Sequence, residues 1–204
     1  PIKVALIRPP VDILVKSMSM LGPMPPIGIA YVAAALRQVG HDVQVIDAPG
    51  AAMETAEEYR IGAGTIRRIG LTPPEMVEQI RPGTRLIGIT NMFAHEWPTV
   101  REIAELARAR FPEATIVLGG ENATSMWPWI FEQTASVDCV VLGEGETAAV
   151  EVAARVSAGL PLAGTKGVSL RSEGDDGVTT TGLPVRLRKL DAVPVPAWDL
   201  FPLD

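Results

Sequence analysis

Short apolar runs alternate along the chain with stretches in which apolar residues recur every three or four positions. That rhythm predicts strands buried on both faces, separated by amphipathic helices. The strand candidates are Lys3 to Ile7, Asp42 to Ile46, Leu86 to Thr90, Thr115 to Leu118 and Asp138 to Leu142. Between them the pattern predicts helices over Ile27 to Val39, closed by Gly40, over Thr99 to Arg110, and a short one over Trp127 to Gln133. A helix-forming run from Thr147 to Val156 follows the last strand. Residues 51–80 are expected to form an inserted, mostly helical segment whose last helix opens on Pro73-Pro74. The fold class is therefore α/β, a flavodoxin-like (Rossmann-like), doubly wound parallel sheet of five strands in the order 2-1-3-4-5, occupying residues 1–160.

After Val156 the character changes. Val168-Ser169-Leu170 and Val178-Thr179-Thr180 flank the polar run Arg171 to Gly177 and predict a C-terminal β-hairpin. Leu190 to Asp199, with Pro194 and Pro196, has too little apolar periodicity to fold alone and is expected to be an extended linker. Residues 161–204 thus form a hairpin and a proline-rich connector rather than a second core.

Composition narrows the function classes. A net charge of −6 disfavours an electrostatic grip on nucleic acid or an anionic membrane. No apolar run reaches membrane-span length and no signal peptide precedes the first strand, so the cytoplasm is the expected compartment. The single cysteine, Cys139, excludes an internal disulfide framework or a cysteine-rich metal cluster within the chain, and its place in a strand suits a small buried hydrophobe. There is no G-x-S-x-G elbow, H-E-x-x-H pair or Walker lysine loop, which favours a binding module over a self-sufficient enzyme.

In a parallel sheet of this kind ligands sit beyond the carboxyl ends of the strands. The first such loop, Arg8 to Pro26, carries Met18, Met20, Met24, Pro23, Pro25 and Pro26. The third, Thr90-Asn91-Met92-Phe93-Ala94-His95-Glu96-Trp97, sets aromatics and a histidine beside small polar groups. The fourth is Gly119-Gly120-Glu121-Asn122-Ala123-Thr124, and the fifth Gly143-Glu144-Gly145-Glu146. Together they describe a wide, apolar-floored cleft. The fifth loop formally fits the dinucleotide fingerprint G-x-G-x-x-G/A through Ala148, but it comes late in the chain. Two glutamates at a helix N-terminus would also repel the phosphates that such a loop seats. Plainer roles exist for each element. Gly119-Gly120 also suits close packing of helix on sheet, the methionines suit core filling, and Glu144 and Glu146 suit the positive end of a helix. His41 lies at the amino end of the second strand and is structural; His95 is the better-placed candidate metal ligand.

The order and spacing of these pieces resemble the N-terminal cobalamin-binding domain of cobalamin-dependent radical S-adenosylmethionine enzymes. The matching residues are Arg8-Pro9-Pro10, Pro25-Pro26 through Leu36, Gly40-His41-Asp42-Val43 with Asp47, Ile87 to Thr90, Val117 to Gly120, Val141 to Glu146 and the tail from Leu190 to Leu200. The resemblance implies a corrin over the carboxyl ends of the strands and a dimethylbenzimidazole tail beside the sheet. By that resemblance Gly119 and Gly120, with Glu121, line the tail, and Leu142, Gly143, Glu144 and Gly145 pass along its other flank. Pro25 and Pro26 border the site, and Thr90, Asn91, Met92 and Phe93 lie under or beside the lower face of the corrin.

Two departures qualify the match. The D-x-H-x-x-G motif, which supplies a cobalt-ligating histidine in cobalamin-dependent mutases, is absent, so a base-off, histidine-off cofactor is expected. The C-x-x-x-C-x-x-C run that would hold a [4Fe–4S] cluster is absent as well. The cluster and S-adenosylmethionine are therefore expected in a radical catalytic barrel, joined in cis or split off as a partner. The implied activity is methyl transfer to an unactivated carbon of a small-molecule substrate. Radical cyclisation or rearrangement is the alternative within the family, and a nucleotide- or flavin-binding domain the alternative outside it.

Overall fold

A computed structural model describes residues 1–15, 24–62, 64–171, 177–182 and 193–202. The elements in chain order are β1 (Lys3–Arg8), β2 (Val11–Leu14), α1 (Ile27–Gln38), β3 (Asp42–Asp47), α2 (Ala48–Ala51), β4 (Ala56–Ile61), β5 (Gly64–Ile69) and α3 (Pro73–Gln79). There follow β6 (Thr84–Thr90), α4 (Trp97–Arg110), β7 (Thr115–Gly119), α5 (Glu121–Gln133), β8 (Cys139–Val141), α6 (Gly145–Ala158), β9 (Val168–Arg171) and β10 (Val178–Thr180).

The main sheet runs β10-β9-β8-β7-β6-β1-β3. Its parallel part, β3-β1-β6-β7-β8, has the flavodoxin-like strand order expected from the sequence. Strands this apolar are buried on both faces, and the core divides accordingly. Ala5, Ile7, Ile87, Ile89, Ile116 and Leu118 pack under α3, α4 and α5. Val4, Leu6, Leu86, Val117 and Val141 pack under α1 and α6. Helix α1 buries Ala30, Ala33 and Ala34, whose small side chains let it lie close to the sheet. It stops where Gly40, at φ +89°, donates to the Arg37 carbonyl while the His41 amide donates to Leu36, the paired bonds of a Schellman cap.

Three sequence expectations are corrected. Residues 51–80 are not mostly helical: β4 and β5 form an antiparallel hairpin, with β2 on its other flank, and only α3 is the expected helix. Charges there pair across strands, Glu58 with Arg67 at 2.7 Å and Arg68 with Asp12 at 3.0 Å. Helix α5 starts at Glu121 rather than Trp127, because Asn122 and Ala123 are buried by tertiary contacts that override their weak local signal. The predicted hairpin forms from β9 and β10, but it extends the main sheet, β9 pairing antiparallel with β8.

The proline-rich tail is extended, and it is docked. Ala197 and Phe201 are buried, the Ala197 amide donates to the Ala30 carbonyl of α1, and Asp199 pairs with Arg37. Contacts four residues apart anchor it without a helical period. Met18, Met20 and Pro23, and Leu190 to Ala192 of the tail, lie outside the described residues.

Candidate functional site

Because β1, β3, β6, β7 and β8 are parallel, their carboxyl ends share one edge. Side chains alternate along a strand, so Gly88, Thr90 and Gly119 project to the same face as Leu86 and Val117, the face covered by α1 and α6. Pairing sets Gly88 beside Leu6 and Thr90 beside Gly119. Leu6 fills the space over Gly88, where a Cβ would meet Leu6 Cδ2 at 2.8 Å, so the trough is confined to the strand ends at Thr90 and Gly119. Gly119 is its open point, since a Cβ at that position would meet nothing within 4 Å. Gly120 is a glycine for another reason. Its φ is +105°, and a Cβ there would stand 2.7 Å from the Asn91 carbonyl oxygen and 3.0 Å from Met92 Sδ.

Asn91 ties the third and fourth loops together. It is fully buried; its amide donates to the Gly119 carbonyl at 2.7 Å, and its carbonyl accepts from Ala123 at 3.3 Å. Its side chain accepts from Asn122 Nδ2 at 2.7 Å and donates to the Phe93 carbonyl at 3.1 Å. The Glu96 carboxylate accepts from the amides of Met92 and Phe93 at 3.0 and 3.1 Å. Met92 and Phe93 themselves remain about as exposed as surface residues, at 46% and 58%. Two large apolar side chains held out by a braced backbone form a platform that favours a flat, apolar ligand surface.

The other expected residues border this edge. Pro25 is exposed and Pro26 half-buried at the start of α1, and Glu121 is exposed at the start of α5. Gly143, at φ +71°, donates its amide to Thr124 Oγ1 at 3.0 Å, linking the fifth loop to α5. Gly145 opens α6 against α1; a Cβ there would approach Val32 Cγ2 at 3.2 Å. Glu144 is exposed and its side chain does not cap α6. Leu142 is buried in the core on the α4/α5 side and also flanks a small hollow with Glu144, Thr147 and Lys166.

His95 is exposed and stacks on Phe93, with ring centroids 5.6 Å apart. Among the described residues no group of three histidine, cysteine or carboxylate side chains could hold a metal ion. His41 lies at the opposite edge, where Nδ1 accepts from the Ile2 amide at 3.2 Å and burial lowers its pKa. Burial pushes the Cys139 thiol up to about 12, so it stays protonated and inert. At the carboxyl ends of β1 and β3, Arg8 pairs with buried Asp47 at 3.1 Å. Burial raises the Asp47 pKa, opposed by the Arg8 charge and the Gly50 amide.

The sequence named Glu96, Asn122 and Thr124 only as members of the strand-end loops, because their individual roles depend on loop closure rather than on any local motif. Glu146, expected from the sequence at the positive end of a helix, has its Oε2 in the first turn of α6 buried without a hydrogen-bond partner among the described residues.

A braced apolar platform with an open position at Gly119 beside it suits a cofactor-binding α/β domain. The chain belongs to the B12 binding domain family, whose model matches residues 17–153. Over 99% of its length it is 26% identical to an uncharacterized methyltransferase of Pyrococcus horikoshii, covering 39% of that protein. Over 88% of its length it is 28% identical to the anaerobic magnesium-protoporphyrin IX monomethyl ester cyclase of Synechocystis, covering 32% of it. Its fold matches the cobalamin-dependent S-adenosylmethionine radical enzyme OxsB, solved with aqua-cobalamin and S-adenosylmethionine bound, at a TM-score of 0.74. That match has 16% identity and covers 98% of this chain and 24% of OxsB. The chain thus spans about two-fifths or less of the length of these relatives. No described helix is long and apolar enough to cross a membrane.

Proposed function

We propose that this chain binds cobalamin, base-off and histidine-off, as the cofactor domain of a radical S-adenosylmethionine enzyme that methylates an unactivated carbon. The observation that carries the reading is the trough at Thr90 and Gly119, open at Gly119, beside the exposed pair Met92 and Phe93. The residues present fit the cofactor. Gly119 and Thr90 would flank its tail, Met92 and Phe93 would face the ring, and the Glu146 oxygen that lacks a partner among the described residues would accept from one of its amide groups. When bound, cobalamin supplies a cobalt centre that can carry a methyl group.

The chain's own residues hold and orient that cofactor. Pro25 and Pro26 border it at α1, while Glu121, Gly143, Glu144 and Gly145 bound the edge near α5 and α6. His95 is engaged with Phe93 and His41 sits on the far edge, which supports a cofactor without a histidine ligand. A [4Fe–4S] cluster and S-adenosylmethionine would belong to a radical barrel in cis or to a split partner, since the single cysteine is buried. The free thiol suits a reducing cytoplasm.

Titration with hydroxocobalamin tests the binding; unchanged corrin absorption at micromolar protein would sink it. Nitrogen superhyperfine splitting in the electron paramagnetic resonance spectrum of the Co(II) form would refute the histidine-off state. Similarity to the cyclase supports ring cyclisation as a second reading. Methylated product from the full-length enzyme with both cofactors separates the two.

A further inference from the structure

Resting on the cobalamin reading, we infer that Glu96 is a positioning residue for the cofactor, acting through Met92 and Phe93. One carboxylate oxygen, Oε2, accepts from both the Met92 and Phe93 amides, at 3.0 and 3.1 Å. The Phe93 carbonyl accepts from the Glu96 amide at 3.1 Å and from the Asn91 side chain at 3.1 Å. With the Asn91 amide and carbonyl already paired to Gly119 and Ala123, the loop backbone is closed on itself. Such a loop has few backbone donors left for a ligand. What it offers is the pair of exposed side chains, and a face so built favours an apolar ring surface over a phosphate or a sugar.

A local cap alone would account for Glu96 bonding the Phe93 amide at the start of the turn Ala94–Glu96. It does not account for the second bond, to Met92, which lies outside that turn. Nor does it account for the outward presentation of two large apolar residues beside the open trough. Glu96 fixes the backbone from which both project, and the cost of ordering that backbone is met before the cofactor arrives. The same brace keeps Phe93 against His95.

The test uses the whole chain titrated with hydroxocobalamin, with thermal melting of each variant recorded in parallel. Glu96→Ala is expected to weaken binding roughly tenfold, the worth of about one net hydrogen bond lost from the brace. Glu96→Gln retains an acceptor oxygen and is expected to recover most of the affinity. Glu102→Ala, which removes an exposed carboxylate from α4, the helix that follows, should leave affinity unchanged. In a Met92→Ala/Phe93→Ala background, adding Glu96→Ala should cost little more, because Glu96 works through those side chains. Full additivity, or wild-type affinity in Glu96→Ala, overturns the inference while leaving cobalamin binding intact. Failure of the wild-type chain to bind overturns the cobalamin reading and this inference with it.

Discussion

Adjacent glycines at the end of β7 should respond in opposite ways to the addition of a side chain. Gly119 has no positive φ and open space around its Cβ position. Gly119→Val should therefore fold at least as well as the parent, gaining about 0.5 kcal/mol from a stiffer unfolded chain. The added branched side chain fills the trough, so cobalamin binding should fall by about 2–3 kcal/mol, roughly 30- to 150-fold. Gly120→Ala places a Cβ 2.7 Å from the Asn91 oxygen, and Asn91 cannot retreat because Gly119 and Ala123 hold its backbone. A left-handed φ of an L residue costs about 1–2 kcal/mol. Overpacking adds about 1–3 kcal/mol. A loss of about 3 kcal/mol corresponds to roughly 6–12 °C in Tm for a chain of this size. The assays are thermal melting and absorbance titration with hydroxocobalamin. A folded Gly119→Val chain that binds as tightly as wild type would refute the trough as the tail site. An unchanged Tm in Gly120→Ala would refute the close-contact argument.

The small sheet yields two further predictions. Burial and the Asp12 carboxylate, bonded at 2.6 Å, push the Tyr59 hydroxyl up to about 12. A spectrophotometric titration should show one tyrosine ionising near there, and Tyr59→Phe should remove it. The folded chain keeps that proton above the ordinary value of 10, so its stability is complete below pH 10 and declines as pH rises towards about 12. A stability profile flat through that window contradicts the assignment. Arg68 bonds Asp12 at 3.0 Å and Thr99 of α4 at 2.6 Å, joining the small sheet to the main domain. Arg68→Met should cost about 3 kcal/mol in chemical unfolding by stranding a buried carboxylate, with partial recovery in Arg68→Met/Asp12→Asn. For the tail, Phe201→Ala should open residues 193–202 to limited proteolysis, whereas Asp199→Ala, at an exposed ion pair, should not.

These predictions draw on features of unequal visibility in the sequence. The parallel sheet was legible because β1, β6 and β7 are apolar on both faces and alternate with helices, a pattern that few other architectures share. The second sheet was not, because β2, β4 and β5 bury little surface and are specified by pairing across distance. Tyr59 opposite Ile66, and Val11 opposite Ile69, make sense only once the strands meet. The carboxyl-edge loops were recognised, but the division of labour within them was not. Asn91 looks like a ligand-facing polar residue, yet its amide is spent on Asn122 and Phe93. Glu96 looks like a loop charge, yet it closes the backbone beneath Met92 and Phe93.

The run Gly143-Glu144-Gly145-Glu146 changes meaning under the same scrutiny. Both glycines have reasons inside the chain. Gly143 turns at φ +71°, and Gly145 lets α6 approach Val32 of α1. Neither is therefore evidence for a phosphate, and the formal dinucleotide fingerprint loses its physical content. Gly119 has no such internal reason, since a Cβ there would be unopposed. A position that the fold leaves open, at the end of a central strand and beside a braced apolar platform, argues for a ligand more strongly than a glycine motif does. The carboxylates then count in favour of a ligand with amide donors. Glu146 Oε2 is buried without a hydrogen-bond partner among the described residues, an acceptor that an amide donor on a ligand would complete.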